Sequence, residues 1–166
     1  MGKIWIAGGC FWGVEVYFNN LIGVDETIVG YAQGNVENPT YELVKKGHTG
    51  HTETVEIVYD ATVITLKELL LHTFRFIDPT SLNKQGEDIG TQYRAGFYYE
   101  NDDDLQTITE FISVMQSNYE APIVVEVEPI KCFYEAEDYH QKYLDKNPDG
   151  YCHVDLNLIL PTERKN

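Results

Sequence analysis

Residues 3–7, KIWIA, read as a short buried strand that the glycine pair Gly8–Gly9 brings to a stop. Beyond the pair, Val14, Tyr17, Phe18 and Leu21 recur at helical spacing. A strand must therefore turn into a helix within a few residues, and Cys10 stands at the turn. A helix N-terminus presents unpaired N–H groups and a partial positive charge, which favour a thiolate just before it. A small buried residue in a glycine-rich turn suits the same place, and the local context weighs the two about evenly.

The rest of the chain alternates strands and helices without a strict βα repeat. ETIVGYA reads as a strand. NPTYELVKKG reads as a short helix capped by Asn38 or Thr40 and ended at Gly47. In HTETVEIVYD the period of two sets Glu53 on one face with Val55, Ile57 and Tyr59. Leu66, Leu69, Leu70, Phe74 and Ile77 give an amphipathic helix stopped at Pro79, and Leu105, Ile108, Ile112 and Met115 give another begun by NDDD. YRAGFYYE and IVVEVEPI read as strands, and EAEDYHQKYLDK as a helix closed by the NPDG turn. This order predicts an α+β sandwich rather than a doubly wound sheet.

The 166 residues fit one domain, 1–166, large enough to bury its own core. A formal charge of −15 repels nucleic acid phosphates and anionic membrane surfaces, so neither is expected as a partner. No apolar run reaches membrane-spanning length and no secretory signal pattern opens the chain, which reads as cytoplasmic. Three scattered cysteines, Cys10, Cys132 and Cys152, make no disulfide framework and fit a reducing compartment.

Several residues suit chemistry with Cys10. Phe11 and Trp12 are either core residues or the walls of an apolar pocket suited to a small uncharged group such as a thioether methyl. Glu53, if its strand face is buried, has a raised pKa and can act as an acid; if the strand end is frayed, it is solvated. Tyr41 and Tyr93 lie in polar turns, NPTY and GTQYR, where a phenol can donate to a substrate oxygen, although any one of 12 tyrosines is more often structural. Cys152, in DGYCH, is the natural thiol to condense with an oxidised Cys10. Cys132 follows a predicted strand and is expected to be buried. His48, His51 and Glu53 also offer metal-ligand spacing, without the HExxH or paired CxxC that specifies zinc.

These residues together resemble the A-type peptide methionine sulfoxide reductases. GCFWG matches that family's nucleophile motif, and NPTY, GHTGHTE, GTQYR and FYEAEDYHQ follow in the family's order across nearly the whole chain. The resemblance implies a two-layer α+β sandwich of ferredoxin-like plait type with extra elements and a long C-terminal segment. It implies reduction of the S epimer of methionine sulfoxide, free or in proteins, to methionine. By the same resemblance Cys10 is the nucleophile, Glu53 the acid on the sulfoxide oxygen, and Tyr41 and Tyr93 its hydrogen-bond donors. Phe11 and Trp12 hold the methyl, and Asp88 and His140 match polar positions near the site. A sulfenic acid on Cys10 would condense with Cys152, and thioredoxin would reduce the disulfide, with no metal or organic cofactor. A monomer is expected. Some members carry two recycling cysteines; here only Cys152 occupies the GYC position, which implies direct reduction of a Cys10–Cys152 disulfide. The end LNLILPTERKN resembles the join to a B-type domain in fused reductases.

Two rival readings carry different expectations. A thiol peroxidase or redox sensor would use Cys10 and Cys152 without Glu53 as an acid, and a metal-binding module would use His48 and His51.

Overall fold

The computed structural model describes residues 1–166 and contains, in chain order, β1 (Gly2–Ala7), α1 (Phe11–Asn19), β2 (Val24–Ala32), α2 (Tyr41–Lys45), β3 (Thr52–Tyr59), α3 (Leu66–Phe76), β4 (Lys84–Gln85), β5 (Asp88–Ile89), β6 (Gly96–Tyr99), α4 (Asp102–Met115), β7 (Glu126–Pro129), β8 (Phe133–Glu135) and α5 (Tyr143–Lys146). The main sheet runs β7-β6-β1-β3-β2-β8, and β4 and β5 form a separate two-stranded ribbon. Its central part, β6-β1-β3-β2, is antiparallel throughout, and two interleaved βαβ units close it through α1 and α3. This is the expected plait. β7 extends it parallel to β6, and β8 extends it antiparallel to β2.

The helices that cross over the sheet bury their apolar stripes against one face of it. Ile4 and Ile6 of β1, Val29 and Tyr31 of β2, Val55 and Ile57 of β3 and Phe97 of β6 meet Val14, Tyr17 and Phe18 of α1 and Leu69, Leu70 and Phe74 of α3 in a single core. The opposite face carries only a small cluster of Trp5, Ala7 and Tyr98, and there the Trp5 indole donates to Glu56 at 3.1 Å. Alternation along β3 thus puts Glu53 at the end of the core-facing row. No helix is long and apolar enough to cross a membrane.

Local signals explain most boundaries. Thr40, not Asn38, caps α2 by accepting from the Leu43 N–H at 3.3 Å, and Gly47 ends the turn in the left-handed region. Thr65 and Glu68 form a reciprocal capping box on α3. Asn101 caps α4, whose first turn holds Asp102, Asp103 and Asp104 beside the helix's positive end.

The helix expected over residues 135–146 does not form. The chain instead leaves β8, makes a 3₁₀ turn at Asp138–His140, passes Lys142 with φ 53°, and winds only one turn at α5. Tertiary hydrogen bonds override helical propensity here: the Gln141 side chain pairs with both the N–H and the C=O of Val29, at 3.0 and 2.8 Å, as a neighbouring strand would. The strands expected over YRAGFYYE and IVVEVEPI shorten to Gly96–Tyr99 and Glu126–Pro129.

β8 reaches β2 because Gly30 has no side chain. A Cβ there would lie 2.5 Å from the Tyr134 carbonyl oxygen and 2.6 Å from the Phe133 ring. Gly30→Ala is therefore expected to lower stability by about 2 kcal/mol, through overpacking against backbone that cannot yield. Urea denaturation of the two proteins measures the difference.

Candidate active site

Cys10 is the N-cap of α1, as the strand-to-helix turn predicts. Gly9 makes the turn with φ 94°, a conformation L side chains avoid, and a Cβ on it would meet Gln85 and His153, each at 2.9 Å. The thiol is nearly enclosed, with 8% of the residue exposed. Glu53 is more enclosed still, at 2%, and its Oε1 accepts the Phe11 N–H at 3.1 Å. One hydrogen bond therefore ties the end of β3 to the residue beside the cysteine.

Burial dominates the acid–base behaviour of this pair. It pushes the Glu53 carboxyl up to about 8, against the Phe11 N–H, which favours the charged form, while the Asp88 charge adds to the rise. The protonated acid expected on a buried strand face is what the structure supports. The Cys10 thiol is raised as well, first by burial and then by the charges of Glu53 and Asp88; the N–H groups of Trp12 and Gly13 pull it down but do not win. Of the two influences the turn places on Cys10, the helix terminus and the enclosure, the enclosure weighs more. Desolvation outweighs that terminus, and Cys10 rests as a thiol.

Tyr41 and Tyr93 feel the same centre. Burial, then the charges of Glu53 and Cys10, push Tyr41 up to about 12, and Tyr93 is raised by burial, Glu53, Tyr41 and Asp88. Both phenols stay protonated as donors at any ordinary pH. Asp88, on the β4–β5 ribbon, accepts the Tyr151 hydroxyl at 3.0 Å and so joins that ribbon to the C-terminal segment.

Phe11 and Trp12 divide their tasks. Phe11 is core, 1% exposed, beside Tyr31 and His140. The half-buried Trp12 donates its indole N–H to His140 Nδ1 at 3.0 Å and stacks on Tyr143, with centroids 3.8 Å apart and planes 10° apart. His140 is itself buried, held against Tyr41 and Tyr139, and burial lowers its pKa. Its Nε2 has no protein partner.

Cys152 is exposed, its Sγ directed at the Val154 carbonyl 3.2 Å away, and a Cβ on Gly13 would lie 3.3 Å from it. The C-terminal segment thus lies against the first turn of α1, the turn that Cys10 caps, and a Cβ at position 13 would press on it at Val154, His153 and Cys152. All three cysteines are free. Cys132 is half-buried rather than buried, its Sγ 3.6 Å from the Gly34 carbonyl. His51 spends both ring nitrogens within the protein, on the Gly34 N–H at 3.1 Å and the Val36 carbonyl at 2.7 Å, which removes it from the metal-ligand reading. Sequence reasoning missed Tyr143, Tyr151 and Glu137. Glu137 accepts from the Tyr31 hydroxyl and the Tyr41 N–H at 2.8 and 3.0 Å, and its signal was the FYEAEDYHQ stretch that reads as a helix.

Residues 2–166 match the family described as peptide methionine sulfoxide reductase. The chain belongs to that family. It is 58% identical over 157 residues to a peptide methionine sulfoxide reductase MsrA from Clostridium botulinum (strain Okra / Type B1), covering 95% of this chain and 100% of the relative. Among solved structures, Mxr1 from Saccharomyces cerevisiae in reduced form superposes with a TM-score of 0.84 at 38% identity, covering 99% of this chain and 92% of the other. Mxr1 in complex with Trx2 matches with a TM-score of 0.60 at 28% identity, covering 86% and 84%. As a family member this reductase acts on methionine sulfoxide.

The raised Glu53 carboxyl makes a measurable link between pH and stability. Its folded pKa, about 8, lies above the ordinary 4.5, so between those values the folded protein holds a proton that the unfolded chain has lost. The stability this gives is whole below pH 4.5 and is lost as pH rises through 8. Glu53→Gln, which keeps an acceptor for the Phe11 N–H, is expected to gain on the wild type by on the order of 4 kcal/mol between pH 4.5 and 9. Urea unfolding of both proteins across that range checks it; parallel curves would show that Glu53 is solvated.

Proposed function

We propose that this reductase converts the S epimer of methionine sulfoxide to methionine through Cys10, with Glu53 as the acid. The observation that carries the reading is the buried Glu53 carboxyl, protonated at neutrality and hydrogen-bonded to the residue beside the thiol. A sulfoxide oxygen is a poor leaving group until it is protonated, and Tyr41 and Tyr93 are the donors that hold it near Glu53. Trp12 forms the wall for the methyl, supported from behind by His140 and Tyr143. Asp88 keeps the C-terminal segment close through Tyr151.

Cys10 Sγ attacks the sulfoxide sulfur, and Glu53 gives its proton to the oxygen. Cys10 gives up its thiol proton to the Glu53 carboxylate as the sulfur–sulfur bond forms. The hydroxyl then passes from the substrate sulfur to Sγ, the S–O and S–S bonds break, the electron pair of the S–S bond leaves with the substrate as the thioether, and Cys10 is left as a sulfenic acid. The Cys152 thiol then attacks that sulfur, forming the Cys10–Cys152 disulfide and releasing water. A dithiol reductant exchanges with the disulfide and restores both thiols. Thioredoxin is the reductant we assign, and a relative captured with Trx2 supports the choice. The three free cysteines suit the reducing cytoplasm, and we read residues 1–166 as a single monomeric domain.

A coupled assay with thioredoxin, its reductase and NADPH, supplied with each epimer separately, tests the reading; turnover of S alone is expected. Turnover of R, or silence even with dithiothreitol, would sink it. Cys152→Ser is expected to form one methionine per enzyme and then stop when thioredoxin is the only reductant. Glu53→Gln is expected to slow sulfoxide reduction by roughly a hundredfold or more while sparing the reaction of Cys10 with hydrogen peroxide. Equal loss of both would instead favour the thiol peroxidase.

A further inference from the structure

We propose that Glu15, with Thr27 and Lys142, is the device that positions Trp12 for sulfoxide binding; this rests on the reading of Trp12 as the methyl wall. Glu15 lies one helical turn after Trp12 on α1, so the two side chains project from the same side. It is 2% exposed, and both carboxylate oxygens are engaged. Oε1 accepts the Lys142 N–H at 2.7 Å; Oε2 accepts the Thr27 hydroxyl at 2.9 Å and the Lys142 ammonium at 3.2 Å. The same ammonium donates to the Thr27 carbonyl at 2.8 Å and contacts its Oγ1. A helix, a strand and a loop are clasped through one carboxylate.

What the clasp holds is a backbone that does not hold itself. Lys142 sits at φ 53°, in the left-handed region that side chains disfavour. That turn separates two residues that grip the indole. Before it, His140 accepts the Trp12 N–H; after it, Tyr143 stacks on the ring. If Lys142 relaxed toward helical values, the segment would straighten and the two grips would no longer converge on one indole. An ion pair whose ammonium is more than a third exposed gives little net stability, so its value here is geometric.

The inference separates from a merely structural role by what it moves. Glu15→Gln keeps an acceptor for the Lys142 N–H but turns an amide donor toward the Thr27 hydroxyl and the ammonium. Lys142→Met removes the ammonium and keeps the stem, and Lys142→Arg keeps the charge. Each is made in a Trp5→Phe background, so that Trp12 is the one tryptophan, and the indole is excited at wavelengths where the tyrosines do not absorb. For Glu15→Gln and Lys142→Met we expect the KM for free methionine sulfoxide to rise about tenfold with kcat within about twofold, and acrylamide quenching of Trp12 to increase. Lys142→Arg is expected to recover most of both. Unchanged quenching and KM in the folded variants, or a lower Tm alone, would overturn the inference. Increased quenching with an unchanged KM would overturn it differently, by showing that the clasp holds an indole the substrate does not touch. Should Glu15→Gln fail to fold, the Lys142 pair decides.

Discussion

Burying one carboxyl at the end of β3 sets the terms for everything around it. Glu53 continues the row of Val55, Ile57 and Tyr59, so it enters the core by the pleat of the strand, and the Phe11 N–H is the donor that meets it there. Both the raised Glu53 and the raised Cys10 follow from that enclosure. An enclosed space resists the ionisation of either group, and the Glu53 and Asp88 charges also push the Cys10 proton back on. The net chemistry resolves the conflict. A thiol and a sulfoxide become a sulfenic acid and a thioether with no proton gained or lost, so Glu53 can give a proton to oxygen and recover the one the thiol sheds. Neither charge then has to persist in the enclosed site.

The same region explains why a second thiol can be both exposed and near. Gly9 and Gly13 bracket Cys10, and each is a place where a Cβ would strike the C-terminal segment at His153. His153 donates from Nε2 to the Gly8 carbonyl at 3.0 Å, which fastens the loop directly after Cys152. Further along, Glu163 accepts from Arg75 at 2.7 and 3.1 Å and fastens the tail to α3. Cys152 therefore lies between a fixed end and the single turn of α5.

What the sequence showed clearly was whatever a local rule controls. The strand-to-helix turn at Cys10, the face of Glu53, the end of α2 at Gly47 and the apolar stripes of α3 and α4 each follow from periodicity or from a glycine's freedom, and each stands in the structure. Residues 135–146 resisted because their conformation is decided elsewhere. Glu15, 127 positions away from Lys142, and Val29, 112 away from Gln141, supply the bonds that unwind a helix-like sequence. The two readings of Cys10 stayed open in the sequence for a related reason. The helix terminus is visible in sequence, but the depth of enclosure that opposes it is not, since that depends on what the β4–β5 ribbon and the C-terminal segment place on top.

The arrangement also explains how contacts of different kinds, fixed relative to one another, would read chirality at sulfur. A sulfoxide sulfur bears an oxygen, a methyl, a chain and a lone pair. In the proposed reading the oxygen is fixed by Glu53, Tyr41 and Tyr93, all donors held protonated, and the methyl by Trp12, an apolar ring held from two sides. With those two substituents assigned and the peptide chain required to leave toward solvent, the fourth direction is determined by the configuration. Only one epimer then presents sulfur to Cys10, and the other must exchange the methyl with the oxygen. That exchange puts a polar oxygen against the indole and leaves the buried Glu53 and the half-buried Tyr41 and Tyr93 facing a methyl, a desolvation penalty on the order of 1–3 kcal/mol for each unpaired group. Discrimination of this kind needs donors and ring to stay fixed relative to one another, which is why rigid support behind Trp12 matters as much as the acid in front of it.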